Sequence, residues 1–412
     1  MPLSNKTLSK PGFIKNPGML FFSGLSGKNE NVCPIICFSN FEWDFLLHRS
    51  HQILMEARKH NTVIYIEEPV FKRSIKIDHI KEKIADNLFI FSPCLSFENK
   101  DNNAAVEKLI SEKLSKKKIA NYVSWYYSPL AINYSSELEP KLIIYDCMDE
   151  NCPHEGSSQF EIESEKKLLE ITDLIFTSNN SVYEAKKKLS KKVYLFPDCP
   201  EINKYQDTGS AAKNGLSDKS GTSGKDGKSK SNNSPVKIGY FGIIDKKFDY
   251  DLLDKIAVIK PHWEFVLSGY LDGVEFDTIP KRKNITYLGN KLHNSIPVIV
   301  KEWDAAIIPY VKDQSTVFTG PGKVLEYLAA GKKVVSTSIN DIHFPFGVNE
   351  IVKIADDPGD FVNALNDIVT GETDAEWNKK VDKILKNCTW EKTWKKMCDK
   401  INNMLIITNI NC

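Results

Sequence analysis

A segment near residue 320 combines residue types that can hold an anionic ligand at the start of a helix. It contains Gly320, Pro321, Gly322, Lys323 and Glu326. Proline near a helix start and glycine just past a helix end predict a helix that runs from this loop to Ala330. The first turn of such a helix offers unpaired N–H groups and the positive end of the helix dipole to a phosphate.

The lysine and the glutamate of this segment indicate which anion would bind. Lys323 falls in the predicted first turn, where its positive charge opposes the helix dipole and lowers helix stability. A lysine at this position makes sense if a diphosphate occupies the first turn. Glu326 follows one turn later and can accept both hydroxyls of a ribose. The alternative, an ordinary α/β loop with a surface lysine and a surface glutamate, stays open.

Two aspartates follow an apolar strand pattern at residues 141–145. Asp146 and Asp149 would therefore lie at the carboxyl edge of a sheet, where α/β proteins bind their ligands. A general base that removes a proton from an acceptor hydroxyl must stand at such an edge. Asp149 is the better candidate for a catalytic base, and we expect Asp146 to turn back and brace the loop. The alternative is that both aspartates only stabilise the loop through Asx turns.

Polar and aromatic residues also follow the first predicted strand. Asn40 and Trp43 are expected to line the acceptor site. Arg49 could hold a phosphate of the acceptor or of the donor, and a salt bridge is an equally good interpretation. His48 and His51 lie three residues apart without a third ligand in view, so no metal site is predicted.

Short apolar strands that alternate with amphipathic stretches must position these residues. A first series of strands is predicted at 34–38, 62–66, 88–91, 122–125, 141–145, 174–176 and 193–196. A second series is predicted at 236–241, 264–267, 285–288, 305–308, 333–336 and 351–354. Such alternation is typical of parallel sheets covered by helices on both faces, and it predicts two doubly wound α/β domains in tandem.

Composition divides the chain into five segments. We expect a flexible N-terminal arm at 1–30, a Rossmann-like domain at 31–205, a linker or insertion at 206–235, a second Rossmann-like domain at 236–387 and a final helix at 388–412. The linker consists almost entirely of Gly, Ser, Lys, Asp and Asn. Such a composition cannot bury a core, so the linker is predicted to be disordered.

The overall composition excludes several protein classes. The 412 residues carry a formal net charge of +1, with 41% hydrophobic and 26% charged residues, which is typical of a soluble globular chain and does not favour nucleic acid as a ligand. Nine scattered cysteines indicate reduced thiols. No apolar run reaches the roughly 20 residues of a membrane span, and the run at 19–22 is too short for a signal peptide. We therefore expect a cytoplasmic protein.

Lysine runs occur at 116–118, 186–188 and 191–192. We expect these runs to be solvated helix faces, and the alternative is a surface that docks on anionic lipid head groups. That alternative would place the chain peripherally at the inner face of the membrane.

The 319–336 segment resembles the donor-binding stretch of GT-B-fold glycosyltransferases, in which P-x-K-x-x-E-Y-L-A-x-G-K-x-V-V follows a D-x-x-x-x-P strand. That strand is 304–309 here, and the strings at 239–242 and 287–289 also match the family's donor-binding region. The first half resembles a bacterial branch that acts on surface polysaccharides, including teichuronic-acid-type enzymes. The matching positions there are 43–45 with Arg49, 66–71, 145–150, 173–177 and 195–197.

The resemblance implies a fold and an activity. The fold would be α/β of GT-B type, with two Rossmann-like doubly wound domains facing a central cleft and a final helix that crosses back to the first domain. The activity would be transfer of a sugar from a nucleotide-sugar, with UDP favoured and GDP and dTDP open, to a glycan or lipid-linked acceptor. The nucleotide-sugar is a substrate, and neither cofactor nor metal is expected, because such enzymes neutralise the leaving diphosphate with helix N–H groups and basic side chains.

The resemblance also assigns residues to the donor. It carries donor binding to Gly242, Lys246, Lys247, Tyr287, Leu288, Gly320, Pro321, Gly322, Lys323 and Glu326. Lys323 is the first choice for stabilising the leaving diphosphate, and Lys246 or Lys247 is the second. Many retaining members carry another glutamate eight residues before the second one, and Phe318 stands at that position here. Neither the sugar nor the stereochemical outcome is therefore predicted.

Three other functions compete with sugar transfer as interpretations of the sequence. A UDP-sugar 2-epimerase could use the same scaffold and would need no acceptor. A nucleotide-sugar-binding scaffold without activity is suggested by the missing first glutamate. A dehydrogenase is least favoured, because no G-x-G-x-x-G follows the first strand of either series.

Overall fold

The computed structural model describes residues 33–43, 49–72, 85–96, 102–148, 158–206, 234–371 and 374–410. The predicted arm at 1–30, nearly all of the predicted linker at 206–235 and the candidate base Asp149 lie outside the described residues.

Contacts divide the chain into two compact units. The first comprises the described residues up to Ser178, Tyr183–Phe196 and the residues from Trp390 onward, and the second comprises Asn179–Val182 and Pro197–Thr389. Residues 197–205, which were expected in the first domain, thus belong to the second unit.

A parallel sheet of seven strands forms the centre of the first unit. Its strands are β1 Ile35–Phe38, β2 Val63–Ile66, β4 Leu88–Phe91, β6 Val123–Tyr126, β7 Leu142–Cys147, β8 Leu174–Thr177 and β9 Val193–Leu195. Two strands of three residues, β3 Val70–Lys72 and β5 Cys94–Ser96, pair separately with each other. The first predicted series is confirmed, whereas β3 and β5 were not predicted because three residues are too few to show a period.

The order of the strands in this sheet sets where a ligand can bind. The order is β4-β2-β1-β6-β7-β8-β9, so the direction of winding reverses between β1 and β6. Ile35 of β1 aligns with Val63 of β2 on one side and with Val123 of β6 on the other. All four residues of β1 are buried, which explains a continuous apolar run instead of alternation. The carboxyl ends of β1 and β6 flank the switch point, which is the usual ligand crevice of such sheets.

The described residues before 207 contain five α-helices. They are α1 Arg49–Ala57, α2 Asn102–Lys116, α3 Gln159–Ile171, α4 Asn180–Lys187 and α5 Ile202–Gln206. At the start of α3, Ser158 and Glu161 form a capping box, in which each side chain accepts the backbone N–H of the other residue.

A second parallel sheet, of six strands, forms the centre of the second unit. Its strands are β10 Lys237–Phe241, β11 Glu264–Ser268, β12 Ile285–Tyr287, β13 Ala305–Ile308, β14 Val334–Ser336 and β15 Val352–Ile354. The second predicted series is therefore confirmed. The order is β12-β11-β10-β13-β14-β15, which places the switch point between β10 and β13.

The helices of the second unit differ in how they begin. Besides α5, the described residues of this unit form α6 Tyr250–Ile259, α7 Ile296–Lys301, α8 Gly322–Ala329, α9 Asn340–Ile342, α10 Pro358–Thr370 and α11 Ala375–Asn387. Asp249, Asp357 and Asp374 accept N–H groups in the first turns of α6, α10 and α11. The residue that precedes α8 is Pro321, which provides no side-chain cap. The first N–H groups of α8 therefore receive no hydrogen bond from a capping side chain at this position.

The last helix, α12 Trp390–Ile410, belongs to the first unit. The Trp394 ring lies 6.1 Å from the ring of Trp125 on β6, and both side chains are buried in one apolar core. No helix among the described residues has the length and apolar composition needed to cross a bilayer. The described cysteines are free thiols.

Gly239, the first residue of the Gly-Tyr-Phe-Gly string at 239–242, lies within β10 and against a buried aromatic ring. A Cβ at Gly239 would overlap the indole ring of Trp303, which is buried. Beyond it, the Tyr327 hydroxyl accepts the Phe241 N–H at 2.9 Å, so α8 is fixed to the carboxyl end of β10. The strand and the helix that carry the predicted donor-binding residues are thereby held together.

Candidate functional site

The second unit places the predicted anion-binding loop at the carboxyl edge of its sheet. The helix α8 begins at Gly322, directly after Gly320 and Pro321. The Leu325 N–H donates to the Pro321 carbonyl and starts the helical hydrogen-bond ladder. The N–H groups between Pro321 and Leu325 precede that ladder, and this is the arrangement with which helix starts bind phosphates.

Lys323 lies across the main chain of the loop that follows β10. This loop turns at Gly242, whose φ of +138° is a conformation that residues with side chains rarely adopt. A Cβ on Gly242 would overlap the Lys323 Cε and would lie 2.9 Å from its Nζ. Glycine is therefore required at this position both by the backbone conformation and by the space that the lysine occupies.

The Lys323 ammonium lies over two aromatic rings. Its Nζ is 5.9 Å from the centre of the Tyr240 ring and 5.8 Å from the centre of the Tyr310 ring. Burial by itself would lower the pKa of Lys323. The Tyr310 hydroxyl and then the Glu326 and Asp245 carboxylates outweigh burial, so the pKa is raised. The lysine is therefore charged at neutral pH, as contact with a diphosphate requires.

Glu326, one turn after Lys323, is half-buried and lies near α5. The helix α5 packs against α8. Burial, followed by the neighbouring carboxylates of Glu326 and Glu201, raises the pKa of Tyr205 on α5. Tyr205 could not be predicted as a site residue, because a lone tyrosine next to a predicted linker carries no periodic signal.

The predicted base-binding residues lie at the same edge of the sheet, after β11 and β12. The Tyr287 hydroxyl donates to the Gly269 carbonyl at 2.7 Å, and its ring lies 5.8 Å from that of Phe276. Leu288 extends the pairing of β12 with β11 through an N–H bond of 2.8 Å. A Cβ on Gly269 would overlap the Gly242 carbonyl oxygen. The loops after β10, β11 and β12 are thus packed into one edge that contains both Gly242 and Tyr287.

Lys246 and Lys247 lie further along the loop that follows Gly242. Lys246 is exposed and Lys247 is half-exposed. The Lys247 carbonyl accepts the Val311 N–H at 2.9 Å, so this part of the loop is fixed next to the end of β13. The role of these lysines as a second anion contact stays a prediction.

At the carboxyl edge of the first sheet, the loop after β1 is held by residues that follow β2 and β4. Glu67 accepts the Trp43 N–H at 2.8 Å and also a hydrogen bond from the Ser92 hydroxyl. The Trp43 ring lies 4.3 Å from the ring of His51, and a nitrogen of His51 bonds to the Trp43 carbonyl at 2.7 Å. Asn40 is exposed in this loop. Asn40 and Trp43 therefore lie at the edge where an acceptor was expected.

Arg49 and Asp146 form an ion pair inside the first unit. The Arg49 Nε lies 3.1 Å from the Asp146 Oδ1, and the Arg49 Nη1 donates to the Phe196 carbonyl at 2.6 Å. Arg49 is 6% exposed and Asp146 is fully buried. The contact agrees with the salt bridge that was the alternative for Arg49 and with the bracing role expected for Asp146. Because a buried pair cannot reach a ligand, we retain neither Arg49 as an acceptor contact nor Asp146 as a catalytic group.

One of the lysine runs is not a uniformly solvated face. Lys186 is completely buried, and its ammonium lies 2.7 Å from the Glu165 carboxylate. The Tyr145 hydroxyl donates to the same carboxylate oxygen at 2.7 Å. Lys187 and Lys188, in contrast, are exposed. Only these two residues of the run could meet an anionic surface.

Two tyrosines of the site, Tyr240 and Tyr310, were missed as functional residues. Each lies at or next to the carboxyl end of a strand, Tyr240 within β10 and Tyr310 directly after Pro309. The only sequence signal for a functional role was their position at the carboxyl end of a predicted strand. This signal is weak, because aromatic residues often occupy such positions only to pack against their neighbours. Within the described part of the chain, no three His, Cys, Asp or Glu side chains are grouped so that they could hold a metal ion.

Comparison with known proteins finds a family model that matches part of the second unit. Residues 235–371 match the family described as Glycosyl transferases group 1. The chain is 26% identical over 285 residues to the putative teichuronic acid biosynthesis glycosyltransferase TuaH of Bacillus subtilis (strain 168). The aligned region covers 65% of this chain and 68% of TuaH.

Solved structures with a similar fold include two that concern UDP. Anabaena HepE in complex with UDP and glucose has a TM-score of 0.61 at 12% identity, covering 90% of this chain and 99% of HepE. An α,α-trehalose-phosphate synthase (UDP-forming) from Burkholderia vietnamiensis has a TM-score of 0.61 at 10% identity, covering 90% of this chain and 98% of the synthase. At these identities the likeness shows the fold alone.

The buried ion pair gives a prediction about stability. We expect Asp146→Asn to lower the free energy of unfolding by about 3–5 kcal/mol, because the Arg49 guanidinium would stay buried without its counter-ion. Urea denaturation of the purified variant measures this loss. The double variant Arg49→Met with Asp146→Leu is the control and should lose less, since it leaves no buried charge. Wild-type stability of Asp146→Asn would contradict the role given to the pair.

Proposed function

We propose that this chain, a glycosyltransferase of the GT-B fold with a group 1 domain at residues 235–371, moves a sugar from a UDP-sugar to a glycan or lipid-linked acceptor in bacterial surface-polysaccharide synthesis. UDP is favoured because HepE is bound to UDP and the Burkholderia synthase is UDP-forming. The class of product is favoured because TuaH is a putative teichuronic acid biosynthesis enzyme.

The observation that carries the donor half of the proposal is the position of Lys323. Its charged ammonium lies beside Gly242, between the end of β10 and the uncapped start of α8. A diphosphate at this place would meet a lysine and a helix N-terminus together. Glu326 would accept the ribose hydroxyls one turn further along α8.

The chemistry follows from where charge develops. Negative charge grows on the leaving diphosphate as the bond between the anomeric carbon and the phosphate oxygen breaks. Lys323 and the first N–H groups of α8 would neutralise that charge without having to reorganise. We propose that this neutralisation needs no metal ion, because the two positive partners are supplied by the chain.

The acceptor half of the proposal is assigned to the carboxyl edge of the first sheet. Asn40 is exposed there, and Trp43 is held by Glu67, so both could contact an acceptor sugar. The proposed base is Asp149, two residues after the end of β7. It would take the proton of the acceptor hydroxyl as the oxygen attacks the anomeric carbon. Sequence position alone supports this residue.

A UDP-sugar 2-epimerase is not favoured as an alternative, because the family match and TuaH both concern glycosyltransferases. The scaffold without activity is not favoured for the same reason. A cytoplasmic location and a peripheral position at the inner membrane stay predictions. Incubation with the donor alone separates an epimerase from a transferase, since only an epimerase releases an altered sugar without an acceptor.

Lys323 and Glu326 should respond differently to removal. We expect Lys323→Ala to lower kcat by about 100-fold or more, because it removes stabilisation of charge that grows only as the bond breaks. Glu326→Ala should mainly raise the KM for the donor, because a ribose contact changes little during reaction. Steady-state kinetics with a UDP-sugar measures both effects. Normal turnover of Lys323→Ala would mean that the diphosphate lies elsewhere.

Asp149→Asn tests the acceptor half independently. The substitution keeps the size of the side chain and removes the proton acceptor, so we expect sugar transfer to be lost while donor affinity stays near that of the wild type. Transfer assays and calorimetric titration of the donor measure the two quantities. If Asp149→Asn stays active, the base is not in this loop and the acceptor site proposed at this edge loses its main support.

A further inference from the structure

We propose that Tyr310 is a positioning residue that holds the Lys323 ammonium at the place where the diphosphate leaves. This inference rests on the proposed function, because it concerns the lysine to which that proposal gives the diphosphate. It assigns to the hydroxyl of Tyr310 a role that acts only through Lys323.

The hydrogen bonds of the two tyrosines have a fixed direction. The Tyr240 hydroxyl donates its single proton to the Ile243 carbonyl at 2.7 Å. The Tyr240 and Tyr310 hydroxyl oxygens are 3.0 Å apart, and the proton between them must therefore come from Tyr310. The Tyr310 oxygen is left with acceptor capacity only. The cationic group beside it is the Lys323 ammonium, whose Nζ lies 5.8 Å from the centre of the Tyr310 ring.

The main chain of Tyr310 is held as firmly as its side chain. The Tyr310 N–H donates to the Thr337 hydroxyl at 3.1 Å, and that hydroxyl donates in turn to the Tyr310 carbonyl at 2.8 Å. Tyr310 is 5% exposed. The Tyr310 hydroxyl is thus held in place by the main-chain hydrogen bonds to Thr337, directly after β13, and by its own hydrogen bond to Tyr240.

A fixed acceptor matters because lysine is flexible. The lysine stem is a flexible chain of four carbons, and an ammonium that is not held in place would have to be ordered during the reaction. The hydroxyl of Tyr310 and the two ring faces order it in advance. The ring of Tyr310 alone would also pack in this place, so the hydroxyl has to be tested separately from the ring.

Tyr310→Phe makes this separation, since it keeps the ring and removes the hydroxyl. We expect kcat to fall by about tenfold or more, because the Lys323 ammonium loses the polar group that orders it, while the dissociation constant of UDP changes by less than about twofold. The test that Tyr310 acts through Lys323 is a double-mutant cycle. In the Lys323→Ala background, Tyr310→Phe should change kcat by less than about twofold.

Two further variants control for folding. Thr172→Val removes another side-chain hydroxyl, which donates to the Leu168 carbonyl at 2.6 Å at the end of α3 in the first unit, and should leave kcat unchanged. Tyr240→Phe deprives the Tyr310 proton of its acceptor and should lower kcat less than Tyr310→Phe does. This second variant tests the same chain of hydrogen bonds if Tyr310→Phe fails to fold.

The outcomes separate this inference from the proposed function. An active Lys323→Ala enzyme would overturn the assignment of the diphosphate, and the role of Tyr310 with it. A strongly impaired Lys323→Ala enzyme together with a fully active Tyr310→Phe enzyme would overturn only the role of Tyr310. An equal loss from Tyr310→Phe in both backgrounds would also overturn it, because the hydroxyl would then act without the lysine.

Discussion

The close approach of the loops after β10 and β11 is the constraint on which the donor edge depends. A Cβ at Gly269 would overlap the Gly242 carbonyl oxygen, and a Cβ at Gly242 would overlap the Lys323 side chain. At Gly269 the main chain packs directly against the main chain of Gly242. At Gly242 the Lys323 side chain packs against main chain that carries no side chain of its own. Without these two glycines the ammonium could not lie beside the start of α8. The absence of a side-chain cap on α8 fits the same arrangement, because a phosphate can supply the missing acceptor.

The carboxyl edge of the first unit is organised differently, around charges that are buried and satisfied. Arg49 links Asp146, at the end of β7, to the Phe196 carbonyl, so α1 and two strand ends are joined by one guanidinium. Such a pair gives little net stability over apolar packing, but breaking it is costly, and it fixes the geometry of the loop that begins there. The charge of Lys323 is the one proposed to meet a ligand, whereas the charge of Arg49 serves the fold.

The strands, the helix α8 and the glycine loop could be predicted from sequence because each has a local signal: an apolar run, a proline and glycine pair, or a period of about 3.6 residues. The partner of Arg49 could not be predicted, because Asp146 lies 97 residues away and many acidic residues were equally suitable. Tyr310 was missed for a related reason. Its hydroxyl gains a role only through contacts with Tyr240, 70 residues away, and with Lys323 on another element.

The most direct test of the central claim is a calorimetric titration of the purified wild-type chain with UDP, GDP and dTDP in the presence of EDTA. If α8 and Lys323 form a diphosphate site that needs no metal and the edge after β12 accepts uridine, UDP should bind at one site per chain. GDP and dTDP should bind more weakly by about tenfold or more, or about 1.4 kcal/mol. The account is contradicted if none of the three nucleotides binds, or if binding appears only when a divalent metal is restored.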